Sequence, residues 1–295
     1  MKRQLAFVLG GGGARGALQV GALRALLQAG YQPDLLAGTS VGAINATFLA
    51  LRGLNQQGIG NLTQAWYDAA LADLLPKNYL WLTVRSLFRR SEVGTSHRLR
   101  DFILAHGLEP DLRFGDIQGV RLILVAADLN HGCATLYGLD LHQSVLEGLL
   151  ASTALPPWVA PIEVDDQLLM DGGVVSNLPI QPAMEAGATE IIAMDLVDPG
   201  LLAGDPFGFG TFLNRLLFTI DCRQRELEMA LAAARRVPVR YIHLSSDQPV
   251  PVWDFLRTEE LIERGYQLTQ GEILRWQAEH PPGFWSWLKR IGEKR

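Results

Sequence analysis

Ser40 lies in the pentapeptide Gly38-Thr39-Ser40-Val41-Gly42. A G-x-S-x-G sequence between a strand and a helix makes a sharp turn that pushes the serine oxygen outward, and its glycines relieve the crowding there. The helix that starts at Val41 adds unpaired amides and positive potential where an alkoxide would develop. A second glycine tract lies nearer the N-terminus: Gly10-Gly11-Gly12-Gly13-Ala14-Arg15-Gly16. It also sits between an apolar run and a helical one. Glycine lets this backbone adopt positive φ and bring its N–H groups close to a ligand. The ligand is an anion, either a phosphate or the oxyanion of a tetrahedral intermediate.

The glycine tract alone leaves both choices open. Gly11, Gly13 and Gly16 satisfy the G-x-G-x-x-G spacing of dinucleotide folds, and Asp34 follows at about the distance expected of a ribose-binding acid. A nucleotide-binding regulatory module is therefore one reading. The serine turn favours another. Two neighbouring helix starts would converge, one carrying a nucleophile and the other the oxyanion donors, and acyl transfer needs that pairing.

A serine hydroxyl is a weak nucleophile until a base removes its proton. Asp171, in Asp171-Gly172-Gly173 at the end of an expected hairpin strand, is the candidate. The six histidines (His97, His106, His131, His142, His243 and His280) stand in no recognisable catalytic context. Ser40, Asp171 and His243 do follow the chain order of an α/β-hydrolase triad. A histidine-dependent esterase or thioesterase acting on soluble substrates is thus the rival enzyme.

The elements that must position these residues are readable from periodicity. Strands are expected at 4–9, 34–37, 120–127, 134–137, 190–196 and 239–244. Residues 162–164 and 167–170 form a hairpin around Asp165-Asp166. Helices are expected at 17–29, 41–52, 141–151, 182–186, 212–236 and 258–278, with 61–106 mostly helical. Strands alternating with helices imply a mostly parallel sheet covered on both faces.

Composition sets the limits. The chain has 295 residues, 48% of them hydrophobic and 19% charged, and a formal net charge of −5. That is a globular composition without the broad basic footprint of a nucleic-acid binder. Cys133 and Cys222 have no metal or redox spacing and are expected as buried or partly buried free thiols, consistent with a reducing, cytoplasmic setting. The apolar run at 5–9 leads straight into glycines and reads as a strand, not a secretory leader. No run reaches the roughly 20 apolar residues of a membrane span. Residues 79–90, with Trp81, Phe88, Arg89 and Arg90, and residues 284–295, with Trp285, Trp287, Lys289 and Arg290, mix aromatic and basic side chains. Such helices lie in a lipid interface, or pack their aromatics inward beneath a solvated basic face.

Taken together the motifs resemble the patatin-like phospholipase family, in particular its bacterial, neuropathy-target-esterase-like branch. The resemblance covers about residues 4–200. It rests on Gly-Gly-Gly-Ala-Arg-Gly at 11–16, the Ser40 turn, Ala151-Ser152-Thr153-Ala154-Leu155-Pro156 with Pro161, and Asp171-Gly172-Gly173 with Asn177 and Pro179. It implies one patatin-like domain over 1–295, less distinctive from about 201 on, built as a three-layer α/β/α sandwich. It also implies a catalytic dyad of Ser40 and Asp171, an oxyanion hole from the amides of Gly11, Gly12 and Gly13, and lipid ester substrates, with neither metal nor cofactor. Arg15 matches the family's basic loop position, where it steadies the loop or meets an anionic headgroup.

Overall fold

Residue patterning splits the sheet into two apolar faces. Alternate strand residues Phe7, Leu9, Leu36, Leu124, Met194 and Ile242 enter one core, while Ala6, Val8, Ala37, Ile123 and Ala193 enter the other. Side chains of successive strand residues point to opposite faces, so both faces need a covering layer. In the computed structural model, which describes residues 3–72, 94–156, 158–198 and 209–279, helices supply both.

The strands are β1 (Leu5–Leu9), β2 (Leu35–Thr39), β3 (Arg121–Asp128), β4 (Cys133–Tyr137), β5 (Ile162–Val164), β6 (Gln167–Asp171), β7 (Glu190–Val197) and β8 (Val239–Ser245). Their order is β5-β6-β3-β2-β1-β7-β8, with β4 also paired to β3. The central pairs of β1, β2, β3, β7 and β8 are parallel, and β4, β5 and β6 pair antiparallel. The helices are α1 (Ala17–Gln28), α2 (Val41–Arg52), α3 (Gln56–Leu71), α4 (Gly94–Ala105), α5 (Val145–Ser152), α6 (Gly173–Ser176), α7 (Ile180–Glu185), α8 (Phe209–Ala234) and α9 (Thr258–Glu279). Leu18, Leu49, Leu62, Leu149 and Leu261 bring α1, α2, α3, α5 and α9 onto the first face. Ile180, Met184 and Ala232 bring α7 and α8 onto the second. This is the expected α/β/α sandwich with a mostly parallel sheet.

Several boundaries differ from the sequence expectation, for local reasons. β2 begins at Leu35 rather than Asp34, because the Asp34 carboxylate is engaged as acceptor of the Leu5 amide at 2.9 Å. α7 begins two residues before Pro182. A proline in the first turn lacks an N–H that would have had no helical partner there. Cys133 is exposed, not buried, since it opens β4 beyond the covered part of the sheet. The aromatic-basic segments 79–90 and 284–295 lie outside the described residues. No helix among the described residues is long and apolar enough to cross a membrane.

One buried carboxylate ties the second face together. Glu228 of α8 accepts from the α7 amides of Ile180 (2.6 Å) and Gln181 (2.9 Å) and from the Ser176 hydroxyl. Burial pushes its carboxyl up, and these hydrogen bonds oppose that. Glu228→Ala removes the acceptor of the Gln181 amide and of the Ser176 hydroxyl, while the Ile180 amide keeps the Leu178 carbonyl at 2.7 Å. Each unsatisfied buried donor costs about 1–3 kcal/mol, so urea denaturation should show a loss of about 2–5 kcal/mol, and Glu228→Gln, which keeps one acceptor, should lose less.

Candidate active site

β3 acts as the ruler that brings Ser40 and Asp171 together. Thr39, the last residue of β2, pairs with Val125. Asp171, the last residue of β6, pairs with Ala126, the next position along β3. The opposite edge of β3 from Leu124 to Asp128 is occupied by β4, so β2 and β6 share the remaining edge and meet end to end. Ser40 directly follows Thr39 and therefore emerges beside Asp171. The meeting point is at the C-terminal ends of the parallel strands, where α/β sheets bind ligands.

The turn at Ser40 is strained as expected, with φ 57° and ψ −125° in a non-glycine residue. Such a conformation persists only where the surroundings over-determine it. Here they do. A side chain at Gly42 would place its Cβ 2.2 Å from the Leu9 carbonyl oxygen, so only glycine lets α2 start this close to the end of β1. The Ser40 amide donates to Ser152 Oγ at 3.0 Å. Ser152 is fully buried at the end of α5, and two residues on the Ala154 carbonyl accepts from the Asp171 amide at 2.9 Å. The segment that contributes to the family resemblance thus fastens both candidate catalytic residues to one support.

Asp171 is 4% exposed. One carboxylate oxygen accepts from the Gly173 amide at 2.9 Å. The other is buried and makes no well-aligned hydrogen bond, although the Ser40 hydroxyl is near enough to favour the ionised carboxylate. Burial dominates and raises the carboxyl from its usual value to about 6, with Ser40 and Gly173 opposing. A base must be ionised to act, so kcat/KM should fall about tenfold per pH unit below about 6 on a soluble ester. A limb near 4 would instead mean a well-solvated carboxyl. Stability runs the other way. The folded chain holds this proton between the ordinary value of 3.8 and about 6 while the unfolded chain releases it. This group's contribution therefore declines as pH rises through that window, and above it the buried charge costs on the order of 3 kcal/mol.

The glycine tract lies against Ser40. A Cβ on Gly11 would come 3.1 Å from the Ser40 Cβ. Buried amides hold the tract in place: Gln19 donates to the Gly10 carbonyl, Asn45 to the Gly16 carbonyl and to Gln19, and Trp66 to Asn45, all at 2.8–3.0 Å. Among the described residues the Gly12 and Gly13 amides have no hydrogen-bond partner, and Gly13 faces the same cavity as Ser40. One expectation needs correcting, and for Arg15 one of the two expected roles is favoured. The Gly11 amide donates to the Asn177 carbonyl at 3.1 Å and so is already engaged. Arg15 does not reach the cavity. It is 8% exposed, with Nη1 2.7 Å from Asp198 and 3.1 Å from the Val250 carbonyl, an arrangement that fits the loop-steadying role.

The cavity beyond Ser40 is apolar. Ile44, Phe48 and Leu51 of α2 face Leu62 and Trp66 of α3 and Phe102 of α4, and Arg52 and His106 stand with them at the end of α2. No described histidine hydrogen-bonds to Ser40 or Asp171. His106 is engaged with Asp68 at 3.1 Å and with the Phe102 carbonyl at 2.8 Å, while His97, His131, His142 and His243 are exposed. His280 lies outside the described residues. The nucleotide reading loses its acid as well. Asp34 lies at the start of β2, about 16 Å along the strand from the glycine tract, which follows the end of β1.

The Ser40 turn, the buried Asp171 carboxylate, the glycine tract and the apolar cavity thus meet at one end of a mostly parallel α/β sheet. The chain belongs to the patatin-like phospholipase family, whose model matches residues 7–184. It is 32% identical over 194 residues to mouse patatin-like phospholipase domain-containing protein 6, an alignment covering 65% of this chain and 13% of that protein. It is 29% identical over 196 residues to the Drosophila melanogaster neuropathy target esterase sws, again 65% of this chain and 13% of the relative. The chain therefore spans about an eighth of the length of these relatives. The crystal structure of VipD from Legionella pneumophila is similar at a TM-score of 0.48 and 15% identity, over 92% of this chain and 67% of that one.

Proposed function

We propose that the chain is a serine lipid acyl hydrolase of the phospholipase, lysophospholipase or carboxylesterase type, working through a Ser40–Asp171 dyad. The observation that carries this reading is the shared register on β3, which seats a buried carboxylate beside a strained serine at the head of an apolar cavity. As the Ser40 oxygen attacks the ester carbonyl, Asp171 takes its proton. The Gly12 and Gly13 amides receive the developing oxyanion. Collapse breaks the bond to the alcohol, which leaves with the proton from Asp171, and an acyl ester remains on Ser40. Water then attacks that ester, Asp171 again takes and returns the proton, and the fatty acid is released.

The relatives' names point to lipid esters, and the apolar walls suit an acyl chain better than a headgroup. Peripheral contact with a lipid surface would bring such a substrate to the site. Three results test the reading: an alkyl fluorophosphonate labels Ser40, lipid-extract hydrolysis vanishes in Ser40→Ala, and exchange of each histidine for alanine leaves hydrolysis in place. Hydrolysis lost on exchange of His243, with Asp171 dispensable, would sink it.

A further inference from the structure

α2 starts directly after Ser40 and runs along the cavity, so its residues mark distance from the nucleophile. At a rise of 1.5 Å per residue, Ile44 stands about 6 Å from Ser40, Phe48 about 12 Å, Leu51 about 16.5 Å and Arg52 about 18 Å. Ile44, Phe48 and Leu51 recur at the three- to four-residue spacing of one helix face, and each lines the cavity. The chemistry then changes. Along α2 the next lining residue is Arg52, which is exposed; its Nη2 lies 2.7 Å from the carbonyl of His106, another lining residue, whose ring is 3.1 Å from Asp68. A methyl end reaching past Leu51 would emerge beside this solvated polar cluster, where further methylenes bury no apolar surface.

Resting on the hydrolase reading above, we infer that α2 measures acyl-chain length, with Leu51 as the last apolar contact that this helix offers and Arg52, His106 and Asp68 as the polar stop. An extended chain of tetrahedral atoms advances about 1.2 Å per bond, as the extended peptide backbone does over its three bonds per residue. The distance to Leu51 therefore matches a saturated acyl chain of about 14 carbons. Each methylene buried before that point is worth roughly fourfold in kcat/KM, and methylenes beyond it are worth nothing or less.

The test is a homologous series of p-nitrophenyl esters, from four to eighteen carbons, presented in a fixed excess of neutral detergent. Wild-type kcat/KM should climb with length and break at about 14 carbons. Leu51→Trp fills the deep end and should cut the 14-carbon to six-carbon ratio at least tenfold relative to wild type. His106→Leu makes the stop apolar and should raise the 18-carbon to 14-carbon ratio. Ratios within one preparation are insensitive to the fraction folded and to micelle partitioning, which is common to all variants. A wild-type profile without the break, or variants that change all lengths alike, overturns the inference while hydrolysis of the short ester keeps the dyad reading alive. No Ser40-dependent hydrolysis at any length removes both.

Discussion

Asp171→Asn should lower kcat about 10²–10⁴-fold, the usual contribution of a positioned general base, with KM for a short ester nearly unchanged. The substitution preserves shape. The amide oxygen keeps the bond from the Gly173 amide, and the NH₂ group takes the place of the buried oxygen that has no well-aligned partner. It then donates towards Ser40 instead of accepting from it, so the nucleophile loses its base without the site losing its packing. Stability should move oppositely. Wild type carries a buried charge above pH 6 that Asn lacks, so the variant's Tm at pH 8 should not fall, and its advantage should shrink by pH 4.5, where Asp171 is protonated in the folded chain. A loss of activity accompanied by a lower Tm at both pH values would mean that the carboxylate is structural. Retained activity would mean that another base serves Ser40.

The divide between what was legible in the sequence and what was not follows the range of the interactions. The Ser40 turn and the glycine tract are local chemistry, and backbone geometry allows few residues other than glycine at Gly13 and Gly42, so both could be read from a short window. The alternation of Ala6 and Val8 with Phe7 and Leu9 likewise carries the two-faced sheet in its spacing. Asp171 was recognisable as a strand end, but its meeting with Ser40 depends on β6 and β2 ending at adjacent positions of β3, a register set by strands far apart in the chain. Ser152 shows the limit. Its segment carries part of the family resemblance, but nothing local tells that its hydroxyl receives the amide of Ser40, 112 positions away. Gln19 and Asn45 are similar: two amides that look like ordinary helix residues become the buried clamp on the glycine tract. Arg15 was correctly placed in the loop, but an arginine is buried only where a partner neutralises it, and Asp198 lies 183 residues on. Gly11 is indistinguishable from its neighbours in sequence, because which amides of a loop are already engaged depends on the folded surroundings, here the Asn177 carbonyl.

The same distinction within the tract gives the second large effect. Gly13→Ala should lower kcat about 100-fold, because a displacement of about 1 Å at a catalytic donor costs that much and this substitution forces one. Gly13 has φ +59°, and a Cβ there would sit 2.6 Å from both the Cβ and the carbonyl oxygen of Val252 and 2.9 Å from its Cα. Two of those atoms are backbone, and the Val252 carbonyl is held by the Ala14 amide at 2.8 Å. Neither side can give way alone. Relief comes only by rotating the glycine tract, which swings the two unpaired amides away from the oxyanion. Val252→Ala should not rescue the variant, since the backbone contacts and the positive φ remain. Gly12→Ala is the control. Gly12, at φ 165°, lies outside the left-handed region, and the three atoms nearest its added Cβ all belong to the Leu196 side chain, at 2.9, 3.0 and 3.5 Å. A small repacking there leaves the N–H in place, so its loss of kcat should stay below about tenfold. Measured side by side on one soluble ester, with Ser40 labelling to count competent sites, the two alanines separate donor placement from bulk. Equal effects would transfer the oxyanion role to other donors.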